Sequence, residues 1–498
     1  MTHAAKFLIV GFDGFRPELM SPELTPTLWN LARGGSLFRN HRCCFPSETF
    51  SNLPSLVSGT PIAGHGMVAN RFFEPSFGLN EAYYSGLTTH IDAAARANNG
   101  HPFTTPTIGD FLARAGRTMS VISTCEPGGA RLMNPQVADY AGHLTFATDS
   151  IETCLPQDRA RAIMAELGEP PSLSWKLAYD DNTRLHHAYI TEAFLVDVEK
   201  NGLPDVSLLW YCDPDHAFHA FGIGSEEAKT GIADADAGLA KVLGVLDSHP
   251  DRDRLNVMVL SDHSHITLDG RVDTLQIFSD AGIKATKTPD ASADVWVRPS
   301  YCNSVRLPED NPKMLEKTAQ ALMEHPAVGM VFTKQGDNDK GAVPGTLPLS
   351  ALSANHTRSP DIKFIYRTTD DKDEHGFQGT CFHDCKGMKD GQSNHGGLHP
   401  KELHNLLVAN GPAFAEGLES DTHSGIADVT PTVLSVMGLT HQAESHGGRV
   451  LDEAFKAEPD GPAETSITLT AEFGNFAQEL NLTRVGDQIY PDGGQRLN

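Results

Sequence analysis

Short apolar or β-branched runs recur along this chain, each followed by a stretch whose apolar residues return every three or four positions. The runs KFLIVGF (6–12), TMSVIST (118–124), VSLLWYC (206–212), NVMVLS (256–261) and ELHNLLVANG (402–411) read as buried strands. The stretches TPTLWNLARGG (25–35), TIGDFLARAG (107–116) and GIADADAGLAKVLGVLDSH (231–249) read as amphipathic helices, several stopped by Gly. This alternation predicts an α/β fold: a mostly parallel sheet covered by helices on both faces. The rhythm breaks over 271–384. There DVWVRPS, NPKMLEKTAQALMEHP, GMVFTKQ and DIKFIYR predict a small α+β subdomain inserted between two pieces of the core, 1–270 and 385–452. The tail, 453–498, contains TSITLTAEF and AQELNLTRVG, which alternate like exposed or edge strands.

Composition narrows the function. With 498 residues and 39% apolar content, the chain can bury a large core. Its 39 basic against 64 acidic residues give a net charge of −25, which excludes the basic stripe of a nucleic-acid-polymer binder. An anionic substrate would therefore need a strong local positive centre. The apolar run 6–12 is too short for a signal core or a membrane span. Eight cysteines in so long a chain make no disulfide framework, so the expectation is a cytoplasmic protein with reduced thiols and no membrane partner. Association into a homo-oligomer stays open. Cys381, His383 and Cys385 lack a second cysteine pair and read as ordinary thiols near a loop rather than a metal site.

The chemistry lies just beyond the strands, where open α/β sheets bind ligands. Asp13 follows the first strand, Asp215 and His219 follow 206–212, and Asp262 and His263 follow 256–261. At i, i+4, Asp215 and His219 share a helix face and can grip one ion; Asp213 with His216 is the competing pair. His395 arrives in SNHGGLHP. Three Asp and three His suit two zinc ions, each keeping an open position. Such a centre would supply the missing positive charge and activate a hydroxyl. The segment CCFPSETFSNLPSLVSGTPIAGHGM (43–67) crowds Ser47, Thr49 and Ser51 at the mouth of a helix. They are either helix caps or the setting of a nucleophile, since a helix N-terminus also attracts the anion to be attacked. The metal ligands on the same rim favour the nucleophile.

Taken in order, GFDGFRPE, PSETFSNLPSLVSGTPIAGHGMVAN, DPDHAFH, LSDHSH, SNHGGLHP and DVTPTVLSVMGL resemble the alkaline phosphatase superfamily, in particular its nucleotide pyrophosphatase/phosphodiesterase branch, whose relatives include phosphonoacetate hydrolase. The resemblance covers about 6–270 and 385–452 and implies an alkaline-phosphatase-like fold. It also implies that Thr49 is the nucleophile and that Asp215, His219 and His395 hold one zinc. Asp13, Asp262 and His263 would hold the other, with the Thr49 oxygen alongside it. Asn70 would donate a hydrogen bond to a phosphoryl oxygen, as would the Thr49 backbone N–H, whereas His65 is read as structural. The implied activity is a two-zinc phosphodiesterase acting on a small anionic phosphoester. A phosphonate hydrolase or phosphomonoesterase on the same site is the alternative, and a non-catalytic zinc-binding module the third reading.

The sulfatase pattern is missing, because Glu48 stands where its Arg belongs. The lysines that phosphonoacetate hydrolases carry after the strand equivalent to 118–124 are also missing, Arg131 being the only cation there. Phe50, Phe72 and Phe73 are candidates for an aromatic leaving-group pocket or for core. Arg71, next to Asn70, is expected to point away from the site.

Overall fold

The run KFLIVGF forms the strand Lys6–Phe12, buried along its whole length. Alternate residues feed opposite cores: Phe7 and Ile9 join one apolar cluster, while Leu8, Val10 and Phe12 join the other. A strand apolar on both sides needs cover on both faces. Helices Thr49–Ser58 and Val429–Val436 pack into the first cluster. Helices Pro26–Gly34, Asp181–Asn201 and Glu226–Leu246 pack into the second. The computed structural model describes residues 5–171, 181–337, 339–439, 447–455 and 461–498.

Lys6–Phe12 is central in an eight-stranded sheet, paired in parallel with Val206–Tyr211 on one side and Leu255–Leu260 on the other. Met119–Ser123 and Leu144–Ala147 extend the parallel side. On the far side Leu407–Asn410 runs antiparallel to Leu255–Leu260, followed by Ser36–Phe38 and Leu418–Ser420. The expected strand over 402–411 is therefore only half strand. Pro400 starts a helical turn, Pro400–Leu403, closed by a capping box between His399 and Glu402, and the chain extends only from Leu407.

A six-stranded sheet follows, in the order 285–286, 295–298, 302–306, 362–366, 328–333 and 347–348, with helix Pro312–Glu324 against it. The strand Ile266–Arg271 belongs to a four-stranded sheet with 368–372, 378–383 and 393–394. The chain ends in a three-stranded antiparallel sheet, Glu464–Phe473, Phe476–Val485 and Gln488–Arg496. Its first strand is largely exposed and its second alternates buried and half-buried positions. Among the described residues no helix is long and apolar enough to cross a membrane.

Candidate active site

Three parallel strands end on one rim and deliver the acidic residues. Gly11 lies opposite Trp210 in the register, and a Cβ on it would fall 2.1 Å from the indole. That close approach lets Trp210 Nε1 donate to Asp13 Oδ2 at 2.9 Å. The Asp215 backbone N–H bonds to the Asp13 carbonyl at 3.0 Å, tying two strand ends together. Gly14 N–H donates to Asp262 Oδ1 at 3.2 Å. Each of these two carboxylates is thus held by one oxygen. The other oxygens, Asp13 Oδ1 and Asp262 Oδ2, are buried without a hydrogen-bond partner. They stand 3.6 and 3.4 Å from His263 Nε2.

Thr49 opens the helix Thr49–Ser58, and its Oγ1 lies 3.0 Å from the same His263 Nε2. Beside this group, Asp215 Oδ1 is 3.2 Å from His219 Nε2 and 3.4 Å from His395 Nε2. The rings of His263 and His395 stack at 3.7 Å, so the two clusters adjoin. The structure brings together all seven residues read as metal ligands.

The imidazoles are oriented from behind. His219 Nδ1 reaches Ser393 O at 2.9 Å and His395 Nδ1 reaches Ser47 O at 2.7 Å. A carbonyl only accepts, so each Nδ1 carries a proton and each Nε2 is turned toward the cluster. Burial drives His263 and His395 well below the usual imidazole pKa, which keeps them neutral. Burial and the neighbouring carboxylates push Asp13 well up, and Asp262 up to about 7. Asp215 moves the other way: despite burial, His219 and His265 hold it low. Unpartnered buried carboxylate oxygens facing neutral imidazole nitrogens fit divalent cations of the zinc type, for which they form an N/O ligand set.

The remaining residues sort clearly. Asn70 Oδ1 accepts from Phe50 N–H at 2.8 Å, which leaves its NH₂ to donate. Neither Ser47 nor Ser51 caps the helix. The N-cap is Glu48, whose side chain makes no capping bond, and Ser47 Oγ instead binds Gly397 O and receives Gly396 N–H. Asp213, of the competing pair, meets His187 at 3.1 Å. His65 has both ring nitrogens in structural bonds, to Ser55 Oγ and Met67 N–H. Phe50, Phe72 and Phe73 are core residues. Cys381, His383 and Cys385 do not converge; His383 meets Asp390 and Cys385 meets Asn394.

One expectation is overturned. Arg71 lines a cavity of about 230 Å³ together with Asn70, His219 and His395, and Arg298 joins it from the six-stranded sheet. The side chain of Arg71 leans over the Tyr84 ring, 3.6 Å from its centroid, and this carries it along the cavity wall. Arg131 faces Asp92 and Asp139 instead. Two site residues were not singled out from sequence. His265 Nε2 lies 2.8 Å from Asp215 Oδ1, and its donor atoms converge with those of Asp215, His263 and His395. Its signal was the second His of DHSH, since residues two apart in extended chain share a side. Glu402 carried no such signal; it accepts from the N–H of Gly397 and of His399, each at 2.8 Å.

Comparison with known proteins bears on the whole arrangement. The rat ectonucleotide pyrophosphatase/phosphodiesterase family member 7 is 23% identical over 277 residues, covering 55% of this chain and 53% of that protein. A yeast ectonucleotide pyrophosphatase/phosphodiesterase 1 is 36% identical over 87 residues, 16% of this chain and 12% of its own length. The chain thus spans about half, or less, of these curated relatives. Murine ectonucleotide pyrophosphatase/phosphodiesterase 5 superposes with a TM-score of 0.59 at 19% identity, covering 89% of this chain and 97% of that one. The human counterpart gives 0.61 at 19% identity, over 91% and 100%. Both share the fold. Residues 7–368 match the family model for type I phosphodiesterase / nucleotide pyrophosphatase, and the chain belongs to that family, within the alkaline phosphatase superfamily.

Proposed function

We propose that this chain is a two-zinc phosphodiesterase that cleaves small anionic phosphoesters through a phospho-threonine intermediate at Thr49. Asp215, His219 and His395 would hold one ion, and Asp13, Asp262 and His263 the other. Zinc bound there would supply positive charge that the chain's −25 lacks and lower the pKa of an adjacent oxygen, as it lowers that of water from 15.7 to about 7. The Thr49 oxygen forms a bond to phosphorus while the ester oxygen leaves with the bonding pair. Water then cleaves the Thr49–phosphoryl bond and restores the alcohol. The free NH₂ of Asn70 steadies a non-bridging oxygen. The observation that carries this reading is the pair of buried, unpartnered oxygens of Asp13 and Asp262 beside His263, with Thr49 Oγ1 at 3.0 Å from the same nitrogen. An inactive threonine-to-alanine variant of the murine relative has been solved with AMP, which supports a nucleotide-sized substrate here.

Elemental analysis should find about two zinc equivalents, and Asp262→Ala should lose one of them, because a methyl group cannot replace a carboxylate ligand. Thr49→Ala should fold normally and lose turnover by several orders of magnitude, whereas Thr49→Ser keeps a measurable rate. Active protein free of transition metal, or a Thr49→Ala variant at near-normal rate, would refute the assignment. A specific observation favours a second reading, a phosphonate or phosphomonoester substrate on the same site: Arg71 and Arg298 line the cavity and can meet the extra charge. Matched aryl mono- and diesters separate the two. A kcat/KM at least about tenfold higher for the diester supports the phosphodiesterase, and the reverse order supports the alternative. A zinc-loaded chain that turns over neither is a binding module.

A further inference from the structure

Part of the cavity wall comes from a hairpin of the six-stranded sheet. Val295–Arg298 pairs antiparallel with Cys302–Arg306, and Arg298 lies across from Ser304. Both reach the cavity. On the near wall Arg71 begins the short strand Arg71–Phe72, opposite Tyr84, whose ring carries its guanidinium. Two strands more than two hundred residues apart in sequence therefore bring two guanidinium groups to one space beside His219 and His395.

Neither arginine forms an ion pair within 4.0 Å among the described residues. The carboxylates nearby have other partners as well, although the Arg71 charge acts on Glu126 and Arg298 on Glu48. Glu126 accepts from the Tyr84 hydroxyl, and Glu48, on the cavity wall, accepts from the Asn70 N–H. Lys363 is the first positive charge to act on buried Glu48, ahead of Arg298. Burial disfavours the charge on Arg298, Arg71 acts in the same direction, and Glu48 only offsets them. A partly desolvated Arg298 that also feels the like charge of the exposed Arg71 is favoured by an anion that joins the two. Guanidinium groups present paired N–H donors that match carboxylate and phosphate oxygens.

We propose that Arg71 and Arg298 together bind a second oxyanion of the substrate, a carboxylate or phosphate a few bonds from the phosphorus that Thr49 attacks. The inference rests on the phosphoester reading above and specifies its substrate class: phosphoesters or phosphonates with a further negative charge beside the reacting centre. Asn70 and the metal ligands then serve the reacting phosphoryl group, and the two arginines select what is attached to it.

The test compares 4-nitrophenyl 2-carboxyethyl phosphate with 4-nitrophenyl propyl phosphate on the zinc-loaded full chain, reading 4-nitrophenol release. The expected kcat/KM ratio is roughly tenfold or more in favour of the carboxylate ester, the size of one hydrogen bond to a charged group. In Arg298→Ala, and again in Arg71→Ala, that ratio falls toward one. A wild-type ratio near one, or a ratio that neither substitution lowers, overturns the proposal. Calorimetry keeps the two readings apart. 3-Phosphonopropionate and ethane-1,2-bisphosphonate, which carry the carboxylate and the phosphate-like anion, are titrated against propylphosphonate. Binding of either probe with a second anionic group at least about tenfold tighter than propylphosphonate, lost in Arg298→Ala, supports the anion subsite even if no ester is hydrolysed. Equal binding of all three overturns it even if the diesters are good substrates.

Discussion

Glu402 is fully buried and accepts bonds from the N–H of Gly397 and His399, from the Tyr301 hydroxyl at 2.8 Å and from Ser47 Oγ at 3.3 Å. Ser47 in turn offers its carbonyl to His395 Nδ1, so this carboxylate orients the His395 imidazole without touching the cluster. Leaving one buried donor unpaired costs about 1–3 kcal/mol. Glu402→Ala should therefore lower stability by about 3 kcal/mol or more, and weaken zinc affinity by the roughly 10–100-fold typical of lost outer partners. Burial pushes Glu402 from 4.5 up to about 7. Between those values the folded chain keeps a proton that the unfolded chain has released. The stabilisation from this group is thus full below 4.5 and is lost as pH rises through about 7. Denaturant midpoints between pH 4.5 and 7 should decline more steeply in wild type than in Glu402→Gln, and identical slopes would contradict this. Such residues also mark where sequence reasoning stopped. Thr49, Asp13, Asp215, Asp262 and His263 follow strand ends or open a helix, so local pattern exposes them. Glu402 and Arg298 matter through partners remote in sequence, such as Ser47, 355 positions from Glu402, and no local pattern encodes that.

Among the elements, the central strand constrains the site most tightly. Gly11 has no Cβ because the Trp210 ring occupies the space, and Trp210 holds the Asp13 oxygen that does not face the cluster. Gly11→Ala must displace either the indole or the strand, and overpacking of this kind costs about 1–3 kcal/mol. The variant should also bind zinc more weakly, because Asp13 loses its orienting donor; Trp210→Phe should reproduce the metal effect with less of the stability loss. Chemical denaturation and zinc titration of both variants check this, and tight zinc binding in Gly11→Ala would contradict it. The parallel strands were legible because each is a continuous apolar run. Leu407–Asn410 was only partly so: an apolar run has no period that separates a helical turn from the strand after it, and Pro400 decides the boundary. The serines at 47 and 51 left a cap open as one reading, since a cap pattern cannot show that Ser47 Oγ is claimed by a distant loop.

At the scale of the whole molecule, the C-terminal sheet ties the separate layers together. Gln478 Oε1 accepts the Val331 N–H at 3.0 Å, while its Nε2 donates to Val331 O and Gly345 O, so one side chain continues the six-stranded sheet. Tyr490 donates to Asp428 at the start of helix Val429–Val436, on the main sheet. Gly494 N–H bonds to Leu398 O at 2.9 Å, and Leu480 and Leu482 join the cluster that holds Leu398 and Leu403. The loop from His395 to Leu403 is thus packed from outside by the last strands of the chain. Two variants separate bracing of the fold from bracing of the site. Gln478→Ala strands buried backbone groups of the six-stranded sheet and should lower stability by about 2–3 kcal/mol while the metal content holds. Deletion of 461–498 uncovers Leu398 and Leu403 as well, so the loop should open and the ion assigned to His395 should bind more weakly. Amide exchange over 393–403 would then rise in the deletion and stay near wild type in Gln478→Ala. If the deletion variant kept both of the proposed zinc ions at unchanged affinity, the tail would brace the fold and leave the site alone.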